Sequence, residues 1–301
     1  NLRSTSYAAY EQLIRNHITP AIGHIQLQKL TSQHVQTLYS QRLKDGYAPE
    51  TVRAIHRMLH RAFSDAVEWK LIGYNVCAKG KVKQPRRVKH EIQPLTKEQA
   101  QALLAAAKGH WFLEALLTLA IATGMRRGEL LALRWSDVDF AGQCLYVRRT
   151  VTRIGSKGLV KGLVESEPKT ESSKRRILLP RFVLEALHLH RERQAQMRSL
   201  TEDWQDHDLV FSGKQGRYIE VTDLRFHFKK LLRKAGLPDI RIHDLRHSAA
   251  TILLEMKVQP KLVQELLGHS NIGITMDLYS HVLPSMQRKM MEDLDDFFRD
   301  S

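Results

Sequence analysis

Over the first 78 residues apolar positions recur every three to four residues between polar and basic stretches. That period predicts amphipathic helices packed around one core. SYAAYEQLIRNHITPAIG reads as a helix that begins with Ser6 as N-cap and stops near Pro20 and Gly23. LTSQHVQTLYSQRLKDG reads as a second, capped by Thr31 and ended by Gly46. The most regular piece is APETVRAIHRMLHRAFSDAVEWKLIG, where Ile55, Leu59, Ala62, Phe63 and Val67 form an apolar stripe. Arg53, Arg57 and Arg61 repeat every four residues on another face, with His56 and His60 beside them. No Asp or Glu stands four residues from Arg53 or Arg57. Both are therefore expected to be unpaired within the helix and available to phosphate.

The periodicity lapses over residues 79–94, KGKVKQPRRVKHEIQP, which hold two prolines and six lysines and arginines. This is a basic linker, and Lys81, Lys83, Arg86, Arg87 and Lys89 are candidate backbone contacts to DNA. Helical spacing resumes at residue 95. Thr96 caps TKEQAQALLAAAKG, with Glu98 and Gln99 in the first turn. WFLEALLTLAIATG is apolar throughout, and a short helix follows Gly128, then Trp135. Residues 143–179 change character: QCLYVRRTVTRIG, GLVKGLVESEPK and KRRILLP predict a small antiparallel sheet. Helices return at PRFVLEALHLHRERQAQMR. The tail LPSMQRKMMEDLDDFF places Leu283, Met286, Met290, Leu294 and Phe297 at helical spacing, which predicts a helix over 284–298 packed on a neighbouring subunit. The fold class expected is mainly α with a small antiparallel β-sheet in the second domain (α+β).

Length and charge sharpen this picture. A chain of 301 residues exceeds what one core usually holds, so two domains are expected. It carries 47 Lys and Arg against 32 Asp and Glu, a formal charge of +15. An excess of that size calls for a polyanionic partner, nucleic acid first. Two cysteines, Cys77 and Cys144, match no zinc or redox spacing, which suits a reducing interior. No run of 18 apolar residues and no signal-peptide pattern is present, so a cytoplasmic protein with no membrane partner is expected.

Four short pieces could carry chemistry. ATGMRRGELLALRW ends one helix at Gly124 and offers Arg126 or its neighbour Arg127, with Glu129 able to fix one of them. SEPKTESSKRRILLP sets Lys169 at a turn between strands, with Lys174 nearby. RIHDLRHSAAT puts His243 and Arg246 on one face of a helix start. LLGHSNIGITMDLYSHVLP holds His269 and Tyr279. His243 and His247 also sit at the H-x-x-x-H spacing of a zinc site, but Asp244 stands where that motif needs Glu and no third ligand follows. Arginines, a lysine, histidines and a tyrosine are what phosphodiester cleavage by a side-chain nucleophile requires. Fixed cations meet the charge that grows on the non-bridging oxygens. A base helps the phenol lose its proton and an acid protonates the leaving sugar oxygen. The phosphotyrosine ester stores the broken bond, so no cofactor, metal or ATP is called for.

In order and spacing these pieces resemble the tyrosine recombinase (phage integrase) family, most closely the integrases of phages and conjugative transposons. Thr123, Gly124 and Arg126 match its T-G-x-R, with Glu129-Leu130 after it. Lys169 matches its β-hairpin lysine, His243 and Arg246 its H-x-x-R, Leu267 to His269 its L-G-H, and Tyr279 to Val282 its Y-S-H-V. The resemblance implies a helical, SAM-like core-binding domain over 1–78 and a catalytic domain over 95–301. A further arm-binding domain is expected before Asn1. By the same resemblance Tyr279 would be the nucleophile, forming a 3′-phosphotyrosine. Arg126 and Arg246 would clamp the phosphate, Lys169 would act as general acid, His243 as base, and His269 as a hydrogen-bond partner of the phosphate. The implied partners are double-stranded DNA at element-end and target attachment sites, a homotetramer on that DNA, and an accessory excision factor in a prokaryotic nucleoid. The alternatives are a Xer-like chromosome-dimer resolving recombinase, a type IB topoisomerase-like relaxing enzyme, and a DNA-binding regulator without catalysis.

Overall fold

A computed structural model describes residues 4–87, 93–154, 162–168, 173–269, 271–273, 275–276 and 291. The chain divides into two units, one of residues up to 91 and one of those from 92 on, the short segment 154–162 excepted. Among the described residues no helix is long and apolar enough to cross a membrane. Lys89, Lys169, Tyr279 and, apart from Met291, the tail helix expected over 284–298 lie outside the described residues.

The first unit is helical. Ser4–Leu13 (α1) runs through a π-helical turn, Ile14–Ile18, into Thr19–Ile22 (α2). Ser6 is therefore inside α1 and not its cap; in a first turn the backbone N–H groups lack helical acceptors anyway, so a serine there costs little. Pro20 does not stop the helix either. It falls in the first turn of α2, where the missing N–H is not needed, and the chain turns only at Gly23. Ser32–Lys44 (α3) starts from Thr31, whose hydroxyl accepts from the His34 N–H while the His34 ring accepts from the Thr31 N–H. Pro49–Glu68 (α4) buries Val52, Ile55, His56, Leu59, Phe63 and Ala66. Ile55, Leu59 and Phe63 are as expected, but Ala62 is exposed and Val67 only half-buried, because the 3.6-residue period carries the stripe through Val52 and Ala66 instead.

His56 also departs from expectation. It is not on the arginine face but in the core, its Nδ1 3.0 Å from the Tyr39 hydroxyl and its Nε2 2.7 Å from the Gln84 side-chain amide. The Gln36 side chain bonds both the N–H and the carbonyl of Lys83, and Arg53 Nη1 donates to Pro85 O at 3.2 Å. The segment around Lys83–Pro85 is thus hydrogen-bonded onto α3 and α4.

The second unit wraps around Leu113–Thr123 in its centre. Lys97–Ala107 (α5) begins with a reciprocal Thr96–Gln99 cap. The apolar LEALLTLAIAT helix (α6) packs against α5 and, further along the chain, against Arg181–Ser199 and Asp244–Glu255. A helix flanked on several sides needs apolar residues all round, as its sequence has. Arg127–Leu131 (α7) follows, then, among the described residues, five strands: Val138–Asp139 (β1), Cys144–Val147 (β2), Thr150–Ile154 (β3), Gly162–Ser166 (β4) and Arg175–Leu178 (β5). Strands β1, β2 and β5 make one antiparallel sheet with β2 in the middle, and β3 pairs with β4. Glu165 in β4 accepts from Arg134 at 3.0 Å and from the Tyr218 hydroxyl at 2.6 Å, and buried Asp137 holds Arg148 and Arg149. Helices Arg181–Ser199 (α8), Val221–Lys234 (α9), Asp244–Glu255 (α10) and Pro260–Leu267 (α11) complete the described unit. The architecture is mainly α with a small antiparallel sheet.

Candidate active site

Two helix ends make the floor of the site. Helix α6 ends at Gly124 (φ +60°) and α11 at Gly268 (φ +67°), both left-handed caps. A side chain at Gly124 is disfavoured twice over. The left-handed conformation disfavours one, and its Cβ would lie 2.1 Å from Leu267 Cδ2. Glycine at 124 lets the two ends approach this closely without displacing Leu267. Each capping glycine offers its carbonyl to an arginine: Arg246 Nη1 donates to Gly124 O at 2.8 Å, and Arg126 Nη2 donates to Gly268 O at 2.9 Å. In this way the T-G-x-R, H-x-x-R and L-G-H pieces, far apart in the chain, are tied to one another.

Glu129 orients the first arginine. Its Oε1 accepts from Arg126 Nη1 at 2.7 Å, and its Oε2 accepts from the Arg126 backbone N–H at 3.0 Å and from Arg175 Nη2 at 3.0 Å. Burial alone would raise the Glu129 pKa; the Arg175 and Arg126 guanidiniums outweigh it and hold the carboxyl below the usual range. Arg246, in the first turn of α10, is buried, and its Nη2 has no acceptor among the described residues. Its pKa falls to about 9, first from desolvation and then from the charge of Arg126. A cation in that position, with a free donor, is stabilised by an anionic oxygen.

His269 follows the Gly268 cap and is 8% exposed, its Nδ1 2.9 Å from the Thr275 hydroxyl. Desolvation, then Arg246 and Arg126, lowers its pKa to about 4, so the ring is neutral at pH 7. In the tautomer whose Nδ1 accepts from Thr275, the proton sits on Nε2, where it can be donated onward. His243 is the residue before α10 and is exposed; its ring stands perpendicular to that of His247, 5.9 Å between centroids. Desolvation of the ring, then the charges of His247 and Arg246, lowers its pKa as well, which favours the neutral form that can accept a proton. Asp244 accepts from Arg241 through both carboxylate oxygens.

Arg126, Arg246 and His269 are thus brought together, with His243 one turn before Arg246. Arg175, which belongs to none of the four motifs, joins them. The sequence signal for it is alternation: in β5 it lies on the same side as buried Ile177, and a basic residue on the inward face of a strand needs a buried partner.

The basic residues of the first unit differ from expectation in one respect. Arg53 and Arg57 are paired within α4, both to Glu50, at 3.6 Å and 2.9 Å, and Arg61 pairs with Asp65 at 2.9 Å. Glu50 stands three residues before Arg53 and seven before Arg57, spacings of one and two helical turns, and long arginine side chains reach back to it. Lys81 lies over the Tyr74 ring at 5.9 Å, and Lys83, Arg86 and Arg87 are exposed.

This architecture has close counterparts. The phage integrase family matches residues 93–286, and the phage integrase N-terminal SAM-like domain matches residues 1–43. The chain is 34% identical to a protein named tyrosine recombinase XerC-like from Caldanaerobacter subterraneus, covering 98% of this chain and 79% of that protein. It is 25% identical to the ICEBs1 integrase of Bacillus subtilis, covering 96% and 77%. Among solved structures it resembles the Tn1549 transposon integrase in complex with a circular intermediate DNA, with a TM-score of 0.79 and 22% identity over 98% of this chain and 95% of that one. The lambda integrase tetramer bound to a Holliday junction gives 0.61 and 20% over 92% and 72%. The family match over most of the second unit, together with the relative at 34% identity, establishes that the chain belongs to the phage integrase family and is a tyrosine site-specific recombinase.

Proposed function

We propose that this recombinase integrates and excises a mobile element, cutting double-stranded DNA at element-end and target attachment sites through a 3′-phosphotyrosine on Tyr279. The observation that carries the reading is the pair of guanidiniums, Arg126 and Arg246, held by the two glycine caps beside a neutral His269. A scissile phosphate bound there would accept from Arg126, from the free Nη2 of Arg246 and from His269 Nε2. Attack by the Tyr279 oxygen on phosphorus breaks the bond to the 5′ oxygen. The phenolic proton passes to a base, for which His243 is the candidate, and Lys169 protonates the departing oxygen. Reversal with a new 5′-hydroxyl rejoins the strand. The charge developing on the phosphate oxygens is met by groups already in place, which is where most of the rate comes from.

The SAM-like unit, with Arg53, Arg57, Arg61, Lys81, Lys83, Arg86, Arg87 and Lys89, is the proposed second DNA contact, and the exposed ion pairs there can exchange a carboxylate for a phosphate. Assembly as a homotetramer on DNA, an accessory excision factor and a prokaryotic nucleoid setting are part of the same proposal. The names ICEBs1 integrase, phiRv2 prophage integrase and mycobacteriophage L5 integrase among its relatives favour a mobile element over chromosome-dimer resolution. The test is a trap. Nicked, labelled duplexes spanning the boundaries of the element that carries the gene are mixed with the protein without metal or ATP and run on denaturing gels. A covalent band with wild type and none with Tyr279→Phe is expected. A band that survives Tyr279→Phe would sink the nucleophile assignment. Plasmids bearing two sites should yield recombinants; relaxed circles alone would point to a topoisomerase.

A further inference from the structure

Arg175 is 8% exposed and Glu129 2%, so their ion pair is almost fully withdrawn from water. Such a pair is a poor way to gain stability, since desolvation consumes most of the Coulombic gain. What it does gain is geometry. Arg175 Nε donates to Leu266 O at 2.7 Å, Nη1 to Ser173 O at 3.2 Å and Nη2 to Glu129 Oε2 at 3.0 Å. One rigid fork therefore joins β5, the first turn of α7 and the last turn of α11. Those last two segments hold Arg126. Glu129 grips its Nη1 and its backbone N–H, and the Gly268 carbonyl, two residues beyond Leu266, accepts from its Nη2. Each of its three nitrogens donates to a protein acceptor, so Arg175 is built into the scaffold of the site.

We propose that Arg175 is a positioning residue for the phosphate clamp: through Glu129 and the Leu266 carbonyl it fixes the guanidinium of Arg126 and the helix end that carries His269. This rests on the recombinase reading above. Its charge also contributes to keeping His269 neutral. Lysine replaces it only in part, because a single ammonium does not present a planar fork to acceptors on three segments.

The test compares full-length wild type, Arg175→Met and Arg175→Lys on the nicked duplex that wild type cleaves. Each is also run on the same duplex with a methylphosphonate at the scissile position, which removes the negative charge that the clamp must meet. DNA affinity is read by fluorescence anisotropy. Arg175→Met should form the phosphotyrosine about 100-fold more slowly on the phosphodiester, as misplacement by an ångström does, with the DNA Kd changed by no more than about threefold. Arg175→Lys should be slowed by about tenfold, in between. On the methylphosphonate the penalty should shrink for both, because less charge remains for the clamp to stabilise. Wild-type cleavage by Arg175→Met, or an equal penalty on both substrates, overturns the proposal; the second result is that of a general loss of structure. If Arg175→Met does not fold, the ratio of the two substrates for Arg175→Lys decides in the same way. Failure of wild type itself to form a Tyr279-dependent adduct would instead overturn the proposed phosphotyrosine chemistry on which this inference rests.

Discussion

On α4 of the first unit Arg57 and Arg61 are 61% and 78% exposed, and their partners Glu50 and Asp65 share the same wet surface. In the second unit Arg175 and Glu129 are 8% and 2% exposed, and Arg246 is buried with one donor unmet. Both regions set arginine beside carboxylate, but the dielectric differs. An exposed pair is screened by water and salt and is worth little, so its arginine is free to trade carboxylate for phosphate. A buried cation must be held by fixed acceptors, and the acceptors decide where it points. The first region fits the reversible DNA grip proposed for it. The second fits the proposed clamp on a single oriented phosphate.

The contrast can be broken at its strongest point first. Glu129→Ala removes the anion between Arg126 and Arg175 and leaves two guanidiniums without their shared partner. It should destabilise the second unit by about 3–5 kcal/mol, read from urea unfolding. A midpoint equal to wild type would mean that the site relaxes around unpaired charge.

Arg246→Gln should do the reverse. It takes away a desolvated charge, so stability should not fall, while cleavage of the nicked duplex should slow by about 3–4 kcal/mol of barrier. A rate close to wild type would remove Arg246 from the clamp.

His269 tests the electrostatic side. Its pKa is about 4 in the folded chain against an ordinary 6.5. The unfolded chain therefore takes up the proton first. The contribution of His269 to stability is fully present above pH 6.5, falls as the pH drops below that, and bottoms out below pH 4, a change of up to about 3 kcal/mol. NMR titration of the ring in the DNA-free protein should give that low midpoint, and His269→Gln should flatten this part of the stability curve. A midpoint near 6.5 would mean that the ring is hydrated.

The smallest effect on folding belongs to the first unit. Arg57→Ala with Arg61→Ala should leave the unfolding midpoint where it is, since both pairs are exposed. DNA affinity should fall, and the slope of its logarithm against the logarithm of salt should flatten by roughly one for each phosphate no longer neutralised. An unchanged slope would take these arginines off the DNA.

How much of this is legible in the sequence depends on range. The caps at Thr31 and Thr96 and the ends at Gly46 and Gly124 follow from residues within a turn of each other, and they are readable. The pairing of Arg53 and Arg57 escapes a search at a spacing of four, because Glu50 acts at three and seven residues. His56 stands four residues after Val52 and three before Leu59, on the buried stripe, but its residue type reads as polar surface, and only the fold shows Tyr39 and Gln84 meeting it. In the site, Arg126, His243, Arg246 and His269 stand out by motif spacing, whereas Arg175 does not, since its partners Glu129 and Leu266 are 46 and 91 residues away.

By itself the sequence determined the helical class, the strand-rich interval, the basic balance and the family, because each depends on periodicity, composition or short motifs. Tertiary structure alone decided which arginines face water and which are buried, that two helix ends meet at Gly124 and Leu267, and that one glutamate serves two guanidiniums. The physical reason is desolvation. The cost of a charge depends on everything packed around it, and that surrounding is assembled from residues far apart in the chain.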